Sequence, residues 1–528
     1  MDRYVGRRVA LGVMAALGLA GGAVAQPRSC EGLAGLKLGD RGVIESAKSL
    51  AATDSVPFGG PLPSLPAGAA FCRVHARFKP TPSSDIQVEI WLPPASAWNG
   101  KLLGAGNGGY GGGFGGPFLT MRTGLLRGYA AAGTDMGHTA GGDVDAKWAL
   151  NQPEKIRDFG YRANHVTAVA AKAVIKAYYG SPEKRAYFHG CSDGGREALM
   201  EAQRFPGDYE GIIAGAPANP WTGLMSTFLW TDRVAHGTPG GEIPNAKLAI
   251  VQSAVVKQCD TLDGLADGVV DDPRACHFDP AVLQCKAGDA PDCLTAGQVK
   301  TVQSLHRGLV GKNGKTLLNG YPMGAEGIPG AWDGWITGPG AQHGRYAGEF
   351  YRWMVFSDAN WDPKDFDIEG GLAVAKGKFG DILDAGEPDL RPFAARGGKL
   401  ILYQGWADAA ITPLNTIDYY TAVTTKAGGS SKDSVRLFMA PGMSHCLTGP
   451  GPNVFDVLGA LDGWKESGAA PEQMIATKYD NDILGYIGFP AKSLRTRPLC
   501  AYPKVARWDG KGSSDAAASF ACVMPAAR

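Results

Sequence analysis

Two short motifs, far apart in the chain, carry the residue types of nucleophilic catalysis. Ser192 lies in the run Gly-Cys-Ser-Asp-Gly at residues 190–194, which matches the G-x-S-x-G pattern of a strand-to-helix turn that exposes a serine hydroxyl. Such a hydroxyl becomes an effective nucleophile when a base accepts its proton, and His445 is the best candidate base. Each residue has a cysteine neighbour, Cys191 and Cys446. The two motifs predict a serine hydrolase; a plain glycine turn with an incidental serine is the alternative.

A catalytic triad also needs a carboxylate that orients the histidine and stabilises its protonated form. Asp408 follows a predicted strand and lies between Ser192 and His445 in sequence, which is the order found in α/β-hydrolases. We therefore predict Asp408 as the third member. The alternative for this residue is a loop aspartate that caps a helix near Thr412.

Two other histidines lie close to these motifs. His189 precedes the serine motif on the side of the predicted strand, so we expect it to be a buried packing residue. His138 follows a small apolar strand and is expected to line the pocket. Neither has the position after a late strand that makes His445 the preferred base.

An oxyanion hole needs backbone N–H groups aimed at the charge that develops in the transition state. One N–H is expected from Asp193, the residue after the nucleophile. The second is expected from the glycine-rich run at residues 104–110, and within it we select Gly109. This run lacks the lysine and Ser/Thr of a phosphate-binding P-loop, so nucleotide binding is not predicted.

An acidic stretch at residues 260–271 has a carboxylate every three or four residues, with glycines that turn the chain. Oxygen ligands at this density suit Ca²⁺, although the spacing differs from that of an EF-hand. We predict a structural calcium site, and a solvated acidic turn is the alternative. The predicted ligands are the side chains of three aspartates and two backbone carbonyls: Asp260, Asp263, Asp267, Leu265 and Val269.

The elements that must position these residues alternate between strand-like and helix-like segments from about residue 89 to residue 220. Within this stretch, residues 163–179 show helical periodicity, with Val166, Val169 and Ala170 on one apolar stripe. Alternation of this kind predicts a mostly parallel sheet of the α/β class. In such sheets, catalytic groups lie at the carboxyl ends of the strands.

The alternation is lost between about residues 221 and 392, a stretch rich in Gly, Trp and Asp. This stretch is too long for a loop, so we interpret it as an inserted lid domain. The predicted organisation is an α/β-hydrolase core in two parts with the lid between them: a signal peptide at 1–25, core at 26–220, lid at 221–392 and core at 393–528.

The net charge and the N-terminal residues limit the expected partners and the expected cellular compartment. The net charge of +1 argues against nucleic acid as the main partner. Three arginines, a short apolar run and Ala-Val-Ala at residues 23–25 predict a secretory signal, hence a periplasmic or secreted protein without a membrane anchor. The oligomeric state stays open.

The chain has 10 cysteines, and export makes disulfides an expected feature. Sequence alone does not fix how they pair. Closeness in sequence suggests four pairs and leaves Cys191 with Cys446, next to the two catalytic candidates. The four local pairs are Cys30–Cys72, Cys259–Cys276, Cys285–Cys293 and Cys500–Cys522.

Five segments together resemble the tannase and feruloyl esterase family, and the likeness runs from Cys30 to Cys522. They are residues 190–197 (GCSDGGRE), 214–217 (AGAP), 260–269, 441–446 (PGMSHC) and 495–500 (RTRPLC). The resemblance implies an α/β-hydrolase core with an inserted lid, a bound calcium ion and five disulfides, one of them beside the triad. It also implies esterase action on aromatic esters.

The predicted function is therefore that of an exported carboxylic ester hydrolase. Its expected partner is a small aromatic (phenolic) acid ester, such as a feruloyl or galloyl ester, which reacts through an acyl-enzyme. Hydrolysis of a terephthalate monoester is one alternative. A catalytically silent, calcium-dependent binding protein on the same scaffold is another, of a different class.

Overall fold

The computed structural model describes residues 27–39, 41–56, 64–363 and 366–525, so the predicted signal peptide lies outside the described residues. The strands are β1 (Lys37–Leu38), β2 (Gly42–Leu50), β3 (Ser55–Val56), β4 (Leu65–Pro66), β5 (Phe71–Phe78), β6 (Ile86–Leu92), β7 (Lys101–Ala105), β8 (Ala130–Thr134), β9 (Arg185–Cys191), β10 (Gly211–Gly215), β11 (Leu309–Val310), β12 (Thr316–Leu318), β13 (Lys399–Gly405), β14 (Val435–Ala440), β15 (Val454–Phe455), β16 (Gln473–Tyr479), β17 (Ser493–Cys500), β18 (Val505–Trp508) and β19 (Phe520–Val523). The helices are α1 (Gly115–Leu126), α2 (Pro153–Arg157), α3 (Ala163–Tyr179), α4 (Asp193–Arg204), α5 (Trp221–Gly237), α6 (Asn245–Cys259), α7 (Ala296–Arg307), α8 (Trp332–Trp335), α9 (Gln342–Glu349), α10 (Ile368–Leu383), α11 (Arg391–Ala395), α12 (Pro413–Ala427), α13 (Val457–Ser467) and α14 (Asp482–Tyr486).

The central sheet has ten strands in the order β1-β2-β5-β6-β8-β7-β9-β10-β13-β14. From β8 to β14 in this order, neighbouring strands run parallel. The strands from β1 to β8 pair in antiparallel fashion. Helices α1, α3 and α4 lie in sequence between successive parallel strands. The predicted α/β class is confirmed.

The sheet has an apolar core on each face because successive side chains of a strand point in opposite directions. On β7, Leu102 packs in a cluster that includes Val174 of α3, whereas Leu103 packs in another that includes Leu461 of α13. All four side chains are fully buried. Helices on both faces thus hold the strands whose ends carry the site.

Helix α3 has the predicted bounds, but one residue of its predicted apolar stripe is misplaced. Val166 and Ala170 are buried, whereas Val169 is 45% exposed. The buried face also includes Thr167 and Ala171. Because alanines and a threonine form much of this face, the stripe is centred differently from the one that the large apolar residues suggest.

The segment at 221–392, predicted as a lid, contains helices α5 to α10 and the small sheet β11–β12. In the described part of the chain, no strand of the ten-stranded sheet lies between β10 and β13. Apolar clusters within this segment pack against residues that follow β13, such as Ala407 and Ile411. The proposed domain boundaries themselves stay a prediction.

Five disulfides join all ten cysteines in the predicted pairs. They are Cys30–Cys72, Cys191–Cys446, Cys259–Cys276, Cys285–Cys293 and Cys500–Cys522. Among the residues described, we find no helix with the length and apolar character needed to cross a bilayer.

Candidate active site

Ser192 lies at a sharp turn between the end of β9 and the start of α4. Its backbone has φ 64° and ψ −123°, a strained conformation for a residue with a side chain. Two glycines make the turn possible: a Cβ on Gly190 would lie 2.2 Å from the carbonyl oxygen of Gly194, and one on Gly195 would lie 2.4 Å from that of Gly215. This is the turn that the G-x-S-x-G motif predicts.

The structure brings together Ser192, His445 and Asp408. His445 Nε2 lies 2.9 Å from Ser192 Oγ, and His445 Nδ1 lies 2.8 Å from Asp408 Oδ2. Asp408 Oδ1 accepts hydrogen bonds from the amides of Ala410 and Ile411, each at 2.9 Å, so the carboxylate is fixed. Asp408 and His445 follow the carboxyl ends of β13 and β14, as the sheet topology predicts.

The Cys191–Cys446 disulfide links the residues adjacent to Ser192 and His445, with Cα atoms 6.0 Å apart. One cysteine ends strand β9, and the other lies in the loop after β14. Cys446 also has a positive φ of 62°. The bridge therefore joins the two loops that carry the hydroxyl and the imidazole.

Gly109 and Asp193 lie beside Ser192 in the wall of one cavity. Their backbone N–H groups make no hydrogen bond to any described residue, which leaves them available to a ligand oxygen. Gly109 has φ 56°, and a Cβ there would lie 2.2 Å from the carbonyl oxygen of Asp143. Asp193 is the first residue of α4, where the N–H groups point out of the helix.

The cavity beside Ser192 and His445 has mostly apolar and aromatic walls. In its present conformation it encloses about 20 Å³, roughly the space of one water molecule. The large aromatic side chains come from α5, α8 and α9: Trp221, Phe228, Trp335 and Tyr346.

Residues 72–523 match the family described as tannase and feruloyl esterase. This match includes the turn at Ser192, the two loops with Asp408 and His445, and the segment between them. The chain belongs to the tannase and feruloyl esterase family. It is accordingly a carboxylic ester hydrolase.

Relatives within and near this family cover almost the whole chain. An uncharacterized esterase of Xanthomonas campestris is 38% identical over 99% of this chain and 96% of its own. Mono(2-hydroxyethyl) terephthalate hydrolase of Piscinibacter sakaiensis is 34% identical, over 84% of this chain and 82% of its own. Among solved structures, feruloyl esterase B from Aspergillus oryzae superposes with a TM-score of 0.83 at 29% identity, covering 94% of this chain and 99% of that one.

Several residues that support the site in this family member were not among those predicted. Gln404 Nε2 donates to Asp408 Oδ2 at 2.8 Å, and Thr416 Oγ1 donates to Gln404 Oε1 at 2.9 Å. In the sequence, Gln404 could have been identified because it is a polar residue within the otherwise apolar strand β13. The aromatic walls of the cavity carry no comparable local signal, since they come from three helices brought together by the fold.

A buried charge cluster lies below the turn at Ser192. Arg196 is fully buried; its Nε donates to Asp193 Oδ1 at 2.6 Å, and its Nη atoms donate to two backbone carbonyls. Glu197 accepts a bifurcated hydrogen bond from the amide of Asn107, at 3.2 Å to each oxygen. Burial, and then the charge of Asp193, raise the pKa of Glu197 well above its usual range. Through the amide of Asn107, Glu197 anchors the start of the glycine-rich loop.

His138 and His189 do not contact the reacting group. His138 is buried and stacked on Trp148, with ring centroids 3.6 Å apart, and burial lowers its pKa to about 4. It contacts the carbonyl oxygens of Tyr110 and Met136 and supports the glycine-rich loop, so the prediction that it lines this pocket is wrong. His189 lies in the wall of a separate cavity.

The predicted calcium ligands lie in one loop that the Cys259–Cys276 disulfide closes. Asp260 accepts hydrogen bonds from the amides of Asp267 and of the glycine that follows it. Asp263 accepts from the amide of Leu265, and Asp267 accepts from the amide of Val269. The carboxylates thus order the loop through its own amides.

The acidic loop offers the oxygen ligands that suit a cation, but its described side chains are not arranged as a cation site. Burial raises the pKa of Asp263. The hydrogen bond from the amide of Leu265 lowers this pKa and the charge of Asp267 raises it, so that the net change is a rise. Buried Asp271 Oδ1 has no hydrogen-bond partner among the described residues, and burial raises the pKa of Asp271 to about 7. However, no three His, Cys, Asp or Glu side chains in the described ranges are placed to hold one ion. Calcium binding stays a prediction.

Proposed function

We propose that this esterase is an exported serine hydrolase of aromatic (phenolic) acid esters, such as feruloyl or galloyl esters. The supporting observation is the hydrogen-bonded chain from Ser192 through His445 to Asp408, with separations of 2.9 and 2.8 Å, beside an aromatic cavity. In the first step, His445 Nε2 accepts the proton of Ser192 as Oγ attacks the ester carbonyl carbon. Asp408 stays ionised and stabilises the imidazolium.

The tetrahedral intermediate carries its negative charge on the former carbonyl oxygen. The amides of Gly109 and Asp193 are the proposed donors to this oxygen. The imidazolium of His445 then gives its proton to the departing alcohol oxygen, which leaves an acyl group on Ser192. A water molecule, deprotonated by His445, attacks this acyl-enzyme; the acid departs and Ser192 regains its proton.

The cavity walls favour an uncharged aromatic acyl group. Trp335 and Tyr346 offer aromatic surface in the cavity wall, and the ring centroids of Trp335 and His445 lie 5.4 Å apart in a T-shaped arrangement. Among the described residues, no lysine or arginine lines this cavity. A terephthalate monoester would bring a carboxylate without a cation to pair with it, so a phenolic ester is the better-supported substrate.

A substrate panel tests this proposal. We expect methyl ferulate or methyl gallate to be hydrolysed faster, by kcat/KM, than mono(2-hydroxyethyl) terephthalate. Ser192→Ala should lose activity by at least about a thousandfold, whereas Ser253→Ala, an exposed serine on α6, should retain it. A faster terephthalate monoester would contradict the substrate class.

Labelling separates an active site from a catalytically silent one. A fluorophosphonate should modify the wild-type chain and the Ser253→Ala variant at Ser192, and should leave Ser192→Ala unlabelled. If Ser192 is not labelled and no ester of the panel is cleaved, the silent binding protein becomes the better hypothesis.

We also propose that the acidic loop binds a structural calcium ion through Asp260, Asp263 and Asp267 and the carbonyls of Leu265 and Val269. The ion would offset the repulsion among these carboxylates, of which Asp267 is already paired with Arg495 and Arg497. Removal with EGTA should lower the melting temperature, and Ca²⁺ should restore it. Asp263→Asn should reduce this response, whereas exposed Asp292→Asn should not. Metal-free protein with a melting temperature insensitive to EGTA would contradict the site.

Export is the remaining part of the proposal. The arginines and the apolar run of residues 1–25 support it, as do ten cysteines that are all paired. Cleavage after residue 25, seen by mass spectrometry of protein recovered from the periplasm or medium, is the expected result.

A further inference from the structure

A second cavity of about 340 Å³ is lined by Cys446, the residue after the catalytic candidate His445. Cys446 lines the second cavity and His445 lines the first, and the two share no lining residue in the described part of the chain. This volume is in the range of small-molecule sites. The mechanism proposed above makes no use of it.

Aromatic rings form one part of the wall of the second cavity. Tyr403 and Phe455 meet edge to face with centroids 5.2 Å apart, and Tyr479 and Tyr486 add further ring surface. A single aromatic ring fits such walls through offset or edge-to-face contacts. The volume is large enough for one ring with small substituents and too small for an extended polymer.

His189 contributes an imidazole ring to the wall of this cavity. Its side chain makes no hydrogen bond to any described residue, and its ring lies 6.4 Å from that of Tyr403. Partial burial in the cavity wall lowers the pKa of His189 to about 4. At neutral pH the imidazole is therefore uncharged, and one ring nitrogen can accept a hydrogen bond.

The two oppositely charged side chains that line the cavity are paired with each other. Arg127 and Asp456 form a bidentate ion pair, with Nη1 to Oδ1 at 2.6 Å and Nη2 to Oδ2 at 3.1 Å. Asp456 also accepts the amide of Gly459 and so caps α13. Because neither charge is left over and His189 is neutral, a charged ligand would enter without a counter-ion.

We propose that the second cavity binds an uncharged single-ring phenol, whose hydroxyl donates a hydrogen bond to the imidazole of His189. The aromatic walls supply the contact area, and the unpartnered nitrogen distinguishes a phenol from a plain arene. The site is separate from the proposed catalytic cavity and does not depend on the function assigned to it.

The test compares the binding of 4-methylphenol, toluene and 4-methylbenzoate to the full chain by calorimetry and ligand-observed NMR. We expect 4-methylphenol to bind about tenfold more tightly than toluene and to outcompete the charged benzoate, since one net hydrogen bond gives about that factor. His189→Leu should weaken 4-methylphenol about tenfold and leave toluene little changed. His277→Leu, at an exposed histidine, is the matched control and should bind like the wild type.

A second variant keeps the test decisive if His189→Leu does not fold. Thr477→Trp, at a half-buried residue of the cavity wall, should fill the space and abolish binding of both neutral ligands. Circular dichroism checks that each variant is folded. The proposal is overturned if 4-methylphenol shows no saturable binding, or if Thr477→Trp binds it as the wild type does, since the ligand would then lie elsewhere.

Discussion

Asp135 is a buried carboxyl group that directly follows β8. Its Oδ1 accepts hydrogen bonds from the amides of Gln87 and Gly137, at 3.0 and 2.8 Å. Burial nevertheless dominates and raises the pKa of Asp135 to about 7. The folded chain therefore holds a proton on this group at pH values where the unfolded chain has released it.

This proton makes the free energy of unfolding fall as the pH rises from about 4 to about 7, and level off above. Asp135→Asn keeps the acceptor oxygen and removes the ionisation. We expect this variant to match the wild type near pH 4 and to exceed its stability by up to about 4 kcal/mol at pH 8. Urea unfolding across this pH range measures the difference. Exposed Asp292→Asn is the control, and parallel curves for Asp135→Asn and the wild type would contradict the prediction.

At the scale of single residues, the sequence allows prediction of groups whose local surroundings are distinctive. Glycines at 190, 194 and 195 make the turn at Ser192 recognisable, because the backbone there has no room for a Cβ. Trp335 gives no such signal. Its place beside His445 depends on how α8 packs against the loop after β14, which is a property of the assembled fold.

At the scale of elements, the Cys191–Cys446 disulfide joins the end of β9 to the loop after β14, across a sequence separation of 255 residues. A cross-link over so long a loop restricts the unfolded chain strongly. In the folded chain, it also fixes the two loops on which the separation of Ser192 and His445 depends. The bridge should therefore affect both stability and catalysis.

Replacing both cysteines by serine should lower the free energy of unfolding by up to about 5 kcal/mol and reduce kcat. The Cys285–Cys293 pair, with a separation of 8 residues, is the matched control. Its removal should lower the free energy of unfolding by about 2–3 kcal/mol and leave kcat unchanged. Denaturant titration and ester hydrolysis measure both quantities. Equal kcat values for the two double variants would argue against the positioning role.

Elements were predictable where local periodicity and turn signals agree. The bounds of α3 follow from its periodicity and from Gly180, which ends the helix in a left-handed conformation. Its buried face was less predictable, because alanines pack closely against the sheet while Val169 points to solvent. The antiparallel strands β1, β2, β5 and β6 extend the sheet beyond the alternating segments, and hydrophobic alternation alone does not say which sheet such strands join.

At the scale of the whole molecule, the C-terminal strand β17 contacts the acidic loop more than two hundred residues earlier in sequence. Arg497 donates to Asp267 Oδ2 at 2.8 Å, and Arg495 donates to the same oxygen at 3.0 Å. The side chains of Arg497 and Asp267 are 5% and 7% exposed, whereas Arg495 is 24% exposed. The buried pair connects the end of the chain to the 221–392 segment.

Arg497→Met should therefore destabilise the protein by about 3 kcal/mol, since it leaves Asp267 buried with a weaker counter-charge. Arg495→Met, at the more exposed position, should cost less than about 1 kcal/mol. Thermal unfolding of both variants gives the comparison. The inference fails if the two substitutions lower the melting temperature equally.

The connectivity of the cysteines has a consequence for how the chain matures. After Cys30 and Cys72 have joined, Cys191 is the next thiol to emerge during synthesis, and Cys259 follows it long before Cys446. Oxidation in order of appearance would couple Cys191 to Cys259, Cys276 to Cys285 and Cys293 to Cys446, and of the later bridges would form only Cys500–Cys522 correctly. Native pairing therefore requires exchange between a thiolate and a wrong bridge, so a host cell that oxidises but does not isomerise would accumulate scrambled, inactive chains.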